Sequence, residues 1–182
     1  MHDRGKLANI CAPAPRASAT ALVAFALLSP DHALAEEKEP FATIEVGAAA
    51  EWNLPNGGAG FGPSAAIEFN IIKDWLVIEP GVSPLFSRGQ TEWDTDLTFK
   101  KPFDLSSTVE FEPGIGPAWQ HTLAGGRTTD NPAVEVIFEF TVRPHDQAFG
   151  WFVEPSFSNS FGPGNQKSLG MTTGLLFPIP TR

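Results

Sequence analysis

Eight glutamates, Glu45, Glu68, Glu79, Glu110, Glu112, Glu135, Glu139 and Glu154, each stand in a stretch where apolar and polar residues alternate. Alternation with a period of two is the mark of a strand with two chemically different faces, and all eight fall on the polar face. Lys100 and Arg143 are the chief cations sharing that face. Carboxylates crowded together away from bulk water repel each other. Such a set must be neutralised by protons, by the two basic side chains or by a bound cation.

Other residues invite weaker chemistry. His121 has Thr122 beside it and Glu135 further on, but no serine follows within a few residues and Glu135 has the parity of the polar face. A nucleophile–base–acid constellation is therefore incomplete, and an exposed loop histidine is expected. Glu92, Asp94 and Asp96 in "RGQTEWDTD" lie on one side of a strand end, yet the glycine and terminal glutamate of a calcium-binding loop are missing. A solvated acidic rim is expected there, with no metal and no cofactor. The glycine-rich "NLPNGGAGFG" and "GPGN" read as turns, since neither runs into a helix as a phosphate-binding loop must.

The elements that must hold these residues follow from composition and pattern. The chain has 182 residues, with 17 Gly, 17 Pro, 15 Phe, 5 Trp and no Tyr. Glycine and proline are too frequent for a helical bundle, and the aromatics too frequent for a disordered chain, which leaves a single all-β domain. Residues 1–35 stand apart: Arg4, Lys6 and Arg16 precede the apolar "ATALVAFALL", then Pro30 and the small-residue site "ALA" at Ala33 to Ala35. This is the pattern of a secretory signal peptide cleaved before Glu36, and its apolar run is half the roughly 20 residues a membrane helix needs. Residues 36–182 then form the domain.

Cleavage removes three basic and two acidic residues, taking the net charge from -9 to -10. No basic patch remains to neutralise phosphates, so nucleic acid is excluded as a partner. Cys11, the single cysteine, leaves with the signal, and with it any disulfide, Cys-ligated zinc or cysteine catalysis.

From Phe41 onward eight alternating segments can be read: "ATIEVGAAAEW", "SAAIEFNI", "LVIEPGVSPLF", "WDTDLTFKKPF", "VEFEPGIGPAW", "VEVIFEFTV", "WFVEPSFS" and "LGMTTGLLFPI". Strands of about 9 to 12 residues, in even number, suit a small transmembrane β-barrel. Connections near 53–61, 87–92, 122–132 and 160–167 read as the longer, extracellular set. Those near 72–74, 103–107 and 144–148 read as the shorter, periplasmic set. A repeat supports hairpin construction: "EPGVSPLF", "EPGIGPAW" and "EPSFSNSF" lie in the third, fifth and seventh strands, with a degenerate copy, "EVGAAAEW", in the first. The offset from glutamate to final aromatic is odd. Glu45, Glu79, Glu112 and Glu154 thus point into the lumen, and Trp52, Phe86, Trp119 and Phe161 point outward as an aromatic girdle at the membrane interface.

These features resemble the small eight-stranded outer-membrane barrels of Gram-negative bacteria, the outer-membrane protein A and X type, over residues 41 to 179. The resemblance implies an eight-stranded antiparallel up-and-down barrel in the bacterial outer membrane, with the surrounding lipids and the barrel-assembly machinery as partners. In such barrels a final aromatic is read by that machinery; here Phe177 is followed by "PIPTR". A lumen of eight strands is just wide enough for side chains to fill it, with Gly81, Gly114, Gly116, Gly170 and Gly174 making room for long ones. A carboxylate-rich plug with a structural, envelope role is therefore expected over a narrow porin-like pore passing small solutes or cations. Two alternatives stay open: a lipid-modifying hydrolase like the lipid A deacylases, acting through His121, and a secreted lipocalin-like binding barrel with the apolar face turned inward. Pro80, Pro84, Pro113, Pro117 and Pro155 lack a ladder donor, and bulges are expected at them.

Overall fold

The computed structural model describes residues 40–55, 57–144, 148–162 and 166–179. Residues 1–35, expected as a signal peptide, and His145 lie outside these residues. The strands are β1 (Ala42–Asn53), β2 (Ala59–Ile72), β3 (Leu76–Ser87), β4 (Gln90–Lys100), the two-residue β5 (Phe103–Asp104), β6 (Val109–Ala124), β7 (Arg127–Val142), β8 (Gly150–Ser160) and β9 (Lys167–Ile179). Every pairing is antiparallel, successive strands are neighbours, and β1 pairs with β9 while β4 pairs with β6. The sheet therefore closes on itself as an eight-stranded barrel, with β5 a short addition beside β6. Closure leaves no free edge among the eight strands.

Closure depends on a tight approach at the β1–β9 seam. Gly47 is paired with Gly174 there, and a Cβ added to Gly174 would lie 2.6 Å from the Gly47 Cα and collide with the Val46 carbonyl. The two strands can come together only because neither carries a side chain at that point.

The expected loop asymmetry is not found. At the end away from the termini, two of the connections are two-residue turns, 88–89 and 125–126. Gly89, Gly125 and Gly126 have φ of 78°, 54° and 76°, the left-handed backbone that tight hairpins need and only glycine adopts freely. Residues 122–124 and 127–132, expected as loop, instead extend β6 and β7 to 16 residues each. His121 accordingly stands in a strand rather than a loop.

The expected bulges are not found at the prolines either. The one register shift between β2 and β3 lies at Asn70 and Ile72. At Pro80 and Pro84 the β2–β3 ladder has gaps while the β3–β4 register runs on unbroken. Pro117 interrupts β4–β6 but not β6–β7, and Pro155 interrupts β7–β8 but not β8–β9. A strand residue presents its N–H and C=O to the same neighbour, so a proline disturbs one ladder and leaves the other to hold the register.

Candidate functional site

The barrel is chemically inverted relative to a soluble protein. Buried polar and charged side chains outnumber buried apolar ones, while Ile44, Val46, Leu97, Phe99, Ile115, Phe138, Phe140 and Leu175 are exposed on the outer wall. A contiguous apolar exterior of this size is incompatible with water as the surrounding medium. It also rules out the lipocalin-like arrangement, in which the glutamates would face solvent. Trp52, Phe86, Trp119 and Phe161 are all exposed toward the end away from the termini, joined there by Phe61 and Trp93. At the terminal end Phe41, Trp75, Phe103 and Phe149 are exposed as well, a second aromatic belt that the four-copy repeat does not signal. If lipid surrounds this wall, Ile115→Arg, near the middle of β6, is expected to cost about 2–4 kcal/mol in bilayers. Urea titration in lipid vesicles reads that difference, and an unchanged midpoint would place Ile115 outside the apolar layer.

Inside, two basic side chains organise the carboxylates. Lys100, 1% exposed at the end of β4, has its Nζ 3.0 Å from Glu68 Oε1 and in contact with Glu79 and Glu139. Gly114 of β6 makes this possible, because a Cβ there would sit 3.0 Å from Lys100 Cγ and 2.7 Å from Thr98 Cγ2. Arg143, just beyond β7, places Nη1 2.5 Å from Glu110 Oε2 and Nη2 3.6 Å from Glu68 Oε2 and 3.9 Å from Glu112 Oε1. Glu68 thus bridges the two cations, one oxygen to each. Oxygens of Glu45, Glu68, Glu79 and Glu139 converge within 4.8 Å of one another, a spacing that suits a metal ion. Lys100 already supplies a positive charge to three of these four.

The Lys100 cluster lies between two cavities. Toward the termini a vestibule of about 620 Å³ is lined by Glu68, Glu110, Glu112 and Arg143, with Asp74 and Asp104 nearer its mouth. On the other side a chamber of about 60 Å³ is lined by Glu45, Glu79, Glu135 and Glu154, and by Asp94, Asp96 and Glu51. Glu45, Glu79 and Glu154 therefore share one chamber while Glu112 faces the vestibule, so the four repeat glutamates do not form one ring. Asp94 and Asp96, expected at a solvated rim, point inward, and Asp94 is buried. The reason is register: Asp94 pairs with Gln120 of β6 and Ser83 of β3, well inside the strand ends.

Sequence reasoning missed the partner of His121. Asp130 of β7 is directly opposite it, with Oδ1 2.7 Å from His121 Nδ1 and accepting a hydrogen bond from Trp119 Nε1 at 3.1 Å. The signal was absent because residues 122–132 were expected to be loop, which hides a cross-strand pair. No serine or threonine hydroxyl bonds His121 among the described residues, and Thr122 turns inward to donate to Glu92 at 2.8 Å.

Among solved structures, the chain is similar to neisserial surface protein A (NspA) at a TM-score of 0.64 and 13% identity, covering 76% of this chain and 97% of that one. It is also similar to Ail, the attachment invasion locus protein of Yersinia pestis, with a TM-score of 0.54, 13% identity and coverage of 76% and 98%. The N-terminal β-barrel domain of Pseudomonas aeruginosa OprF follows at 0.51, 13% identity and coverage of 74% and 97%. The shared feature is the fold. This chain is a small eight-stranded β-barrel of that type. No family model matches the sequence, and no curated protein does either.

Proposed function

We propose that this barrel resides in the outer membrane of a Gram-negative bacterium and serves a structural, envelope-stabilising role, with its lumen closed by the Lys100 ion-pair layer. The observation that carries this reading is the inverted burial: an apolar wall between two aromatic belts, around an interior of buried polar and charged side chains in which Lys100 is paired with Glu68 and Glu139. The termini lie at one end of the barrel, since Ala42 pairs with Ile179, and that end faces the periplasm from which the chain arrives. Outer-membrane lipids contact the wall, and the assembly machinery inserts it. The proposed role is not a catalytic one: the His121–Asp130 pair stands on the wall, and no serine or threonine hydroxyl bonds His121 among the described residues. The solved relatives of this shape include surface proteins, which agrees with an envelope location.

The closed lumen is tested by single-channel conductance of the folded barrel in a planar bilayer at neutral and acidic pH. Electrical silence is expected, because Lys100, Glu68, Glu79 and Glu139 fill the section between vestibule and chamber. A steady cation-selective current that falls on acidification would replace the plug with a pore lined by ionised glutamates.

A further inference from the structure

The vestibule between the Lys100 layer and the terminal end holds oxygens that nothing in the barrel satisfies. Arg143 is the one lysine or arginine lining it among the described residues, against Glu68, Glu110, Glu112, Asp74 and Asp104. Three of these carboxylates gather on its guanidinium: Glu110 at 2.5 Å, Glu68 at 3.6 Å and Glu112 at 3.9 Å. The last separation is beyond hydrogen-bond reach, and Glu112 Oε2 has no donor although the residue is 2% exposed. Thr141 Oγ1, on a residue 0% exposed, also has no partner. Register brings the two together. Thr141 is directly opposite Glu110 across β6 and β7, and Glu112 is opposite Glu139, which makes Glu112 and Thr141 diagonal neighbours on the inward face. Asp104 of β5 stands opposite Glu110 on its other side. Buried oxygens without a donor are costly, and natural structures rarely keep them unless something else occupies the space.

We infer that the vestibule binds a linear organic dication, a short diamine whose inner ammonium is held by Glu112 and Thr141 and whose outer ammonium is held by Glu110 and Asp104. The wall selects this class on three grounds. A primary ammonium has three donors and no acceptor, which suits Glu112 Oε2 and Thr141 Oγ1, two buried oxygens that lack a donor. Charge sets the valence: Asp104, Glu110 and Glu112 carry three negative charges and Arg143 one positive, which leaves two. Glu68 is outside this count because it is shared with Lys100, and so is Asp74, whose carbonyl accepts a hydrogen bond from Lys101 Nζ at 3.2 Å. Finally, about 620 Å³ is the size of a small-molecule pocket rather than of a bare metal ion, and Val77, Pro144 and Pro178 share the wall, where methylenes can pack. Glu112 and Glu110 are two residues apart on one strand, about 7 Å along it, with Asp104 one strand over. A diamine with a four- or five-carbon chain spans that separation.

The site lies on the terminal side of the Lys100 layer, and diamine binding there is independent of whether the lumen conducts. The barrel, folded in detergent, is titrated with 1,4-diaminobutane by isothermal calorimetry at pH 7 and constant ionic strength. One diamine per barrel is expected, with a dissociation constant below about 1 mM. Butylamine, which lacks the second ammonium, should bind at least about tenfold more weakly. Glu112→Gln should weaken diamine binding by at least about tenfold, while the heat-modifiable mobility of the folded barrel is retained. Asp104→Asn, in the two-residue β5 outside the closed barrel, is expected to bring the two amines closer in affinity, and it serves should Glu112→Gln fail to fold. Asp130→Asn on the outer wall should change nothing. Absence of stoichiometric diamine on the wild-type barrel would overturn the inference. So would equal affinity for the diamine and butylamine, an Asp104→Asn barrel that keeps the full preference between them, a folded Glu112→Gln barrel that binds undiminished, or binding lost with Asp130→Asn.

Discussion

Lys100→Met should destabilise the barrel by about 3–5 kcal/mol at neutral pH, the usual consequence of removing one partner from a buried ionic cluster. Methionine nearly matches the volume, so packing against Gly114 is kept and the lost quantity is the charge. Glu68, Glu79 and Glu139 would then face each other without their shared cation, and Arg143 would compensate only Glu68, at 3.6 Å. The pH dependence has a definite sign. The folded variant relieves the repulsion by taking up protons that the unfolded chain does not bind, so its stability rises as the pH falls. Urea titrations of intrinsic fluorescence in lipid vesicles at several pH values measure both effects. A variant as stable as wild type at neutral pH would mean that the cluster is hydrated and the lumen open.

Gly174→Val should prevent the barrel from closing. The added side chain would have to pass the Val46 carbonyl and the Gly47 Cα at the seam where the first and last barrel strands meet. Overpacking ordinarily costs about 1–3 kcal/mol because neighbours shift. Here the obstacles are backbone atoms whose shift would break the β1–β9 ladder along its length. The expected result is loss of the compact, heat-modifiable form after refolding. Gly57→Ala provides the contrast, since that glycine has positive φ but open space around it, and the cost should be confined to its loop. A closed and stable Gly174→Val barrel would show that the seam can move apart without penalty.

The tight turns explain why strand ends here have the sequence character of loops. Residues such as Thr128, Thr129 and Asp130 are polar and follow two glycines, which in sequence resembles a long loop. Once Gly125 and Gly126 turn the chain in two residues, the flanking polar residues have partners directly opposite and continue the ladder, Thr122 with Thr129 and His121 with Asp130. Position above the apolar band, rather than irregular structure, accounts for their polarity.

The faces of the strands were legible from the sequence alone, because side-chain parity is a local property: Glu45, Glu79 and Glu139 point inward, and Trp52 and Trp119 outward, whatever the neighbouring strands do. Strand number and closure into a barrel followed from the same pattern. What only the tertiary structure decided is depth and partnership. Lys100 meets Glu68 and Glu139, 32 and 39 residues away, through registers set across several strands. That stagger alone divides one acidic face into a vestibule, an ion-paired layer and a chamber with unsatisfied oxygens. Parity repeats every two residues along one strand, whereas register is a sum of offsets over distant pairings, so no short stretch of sequence contains it.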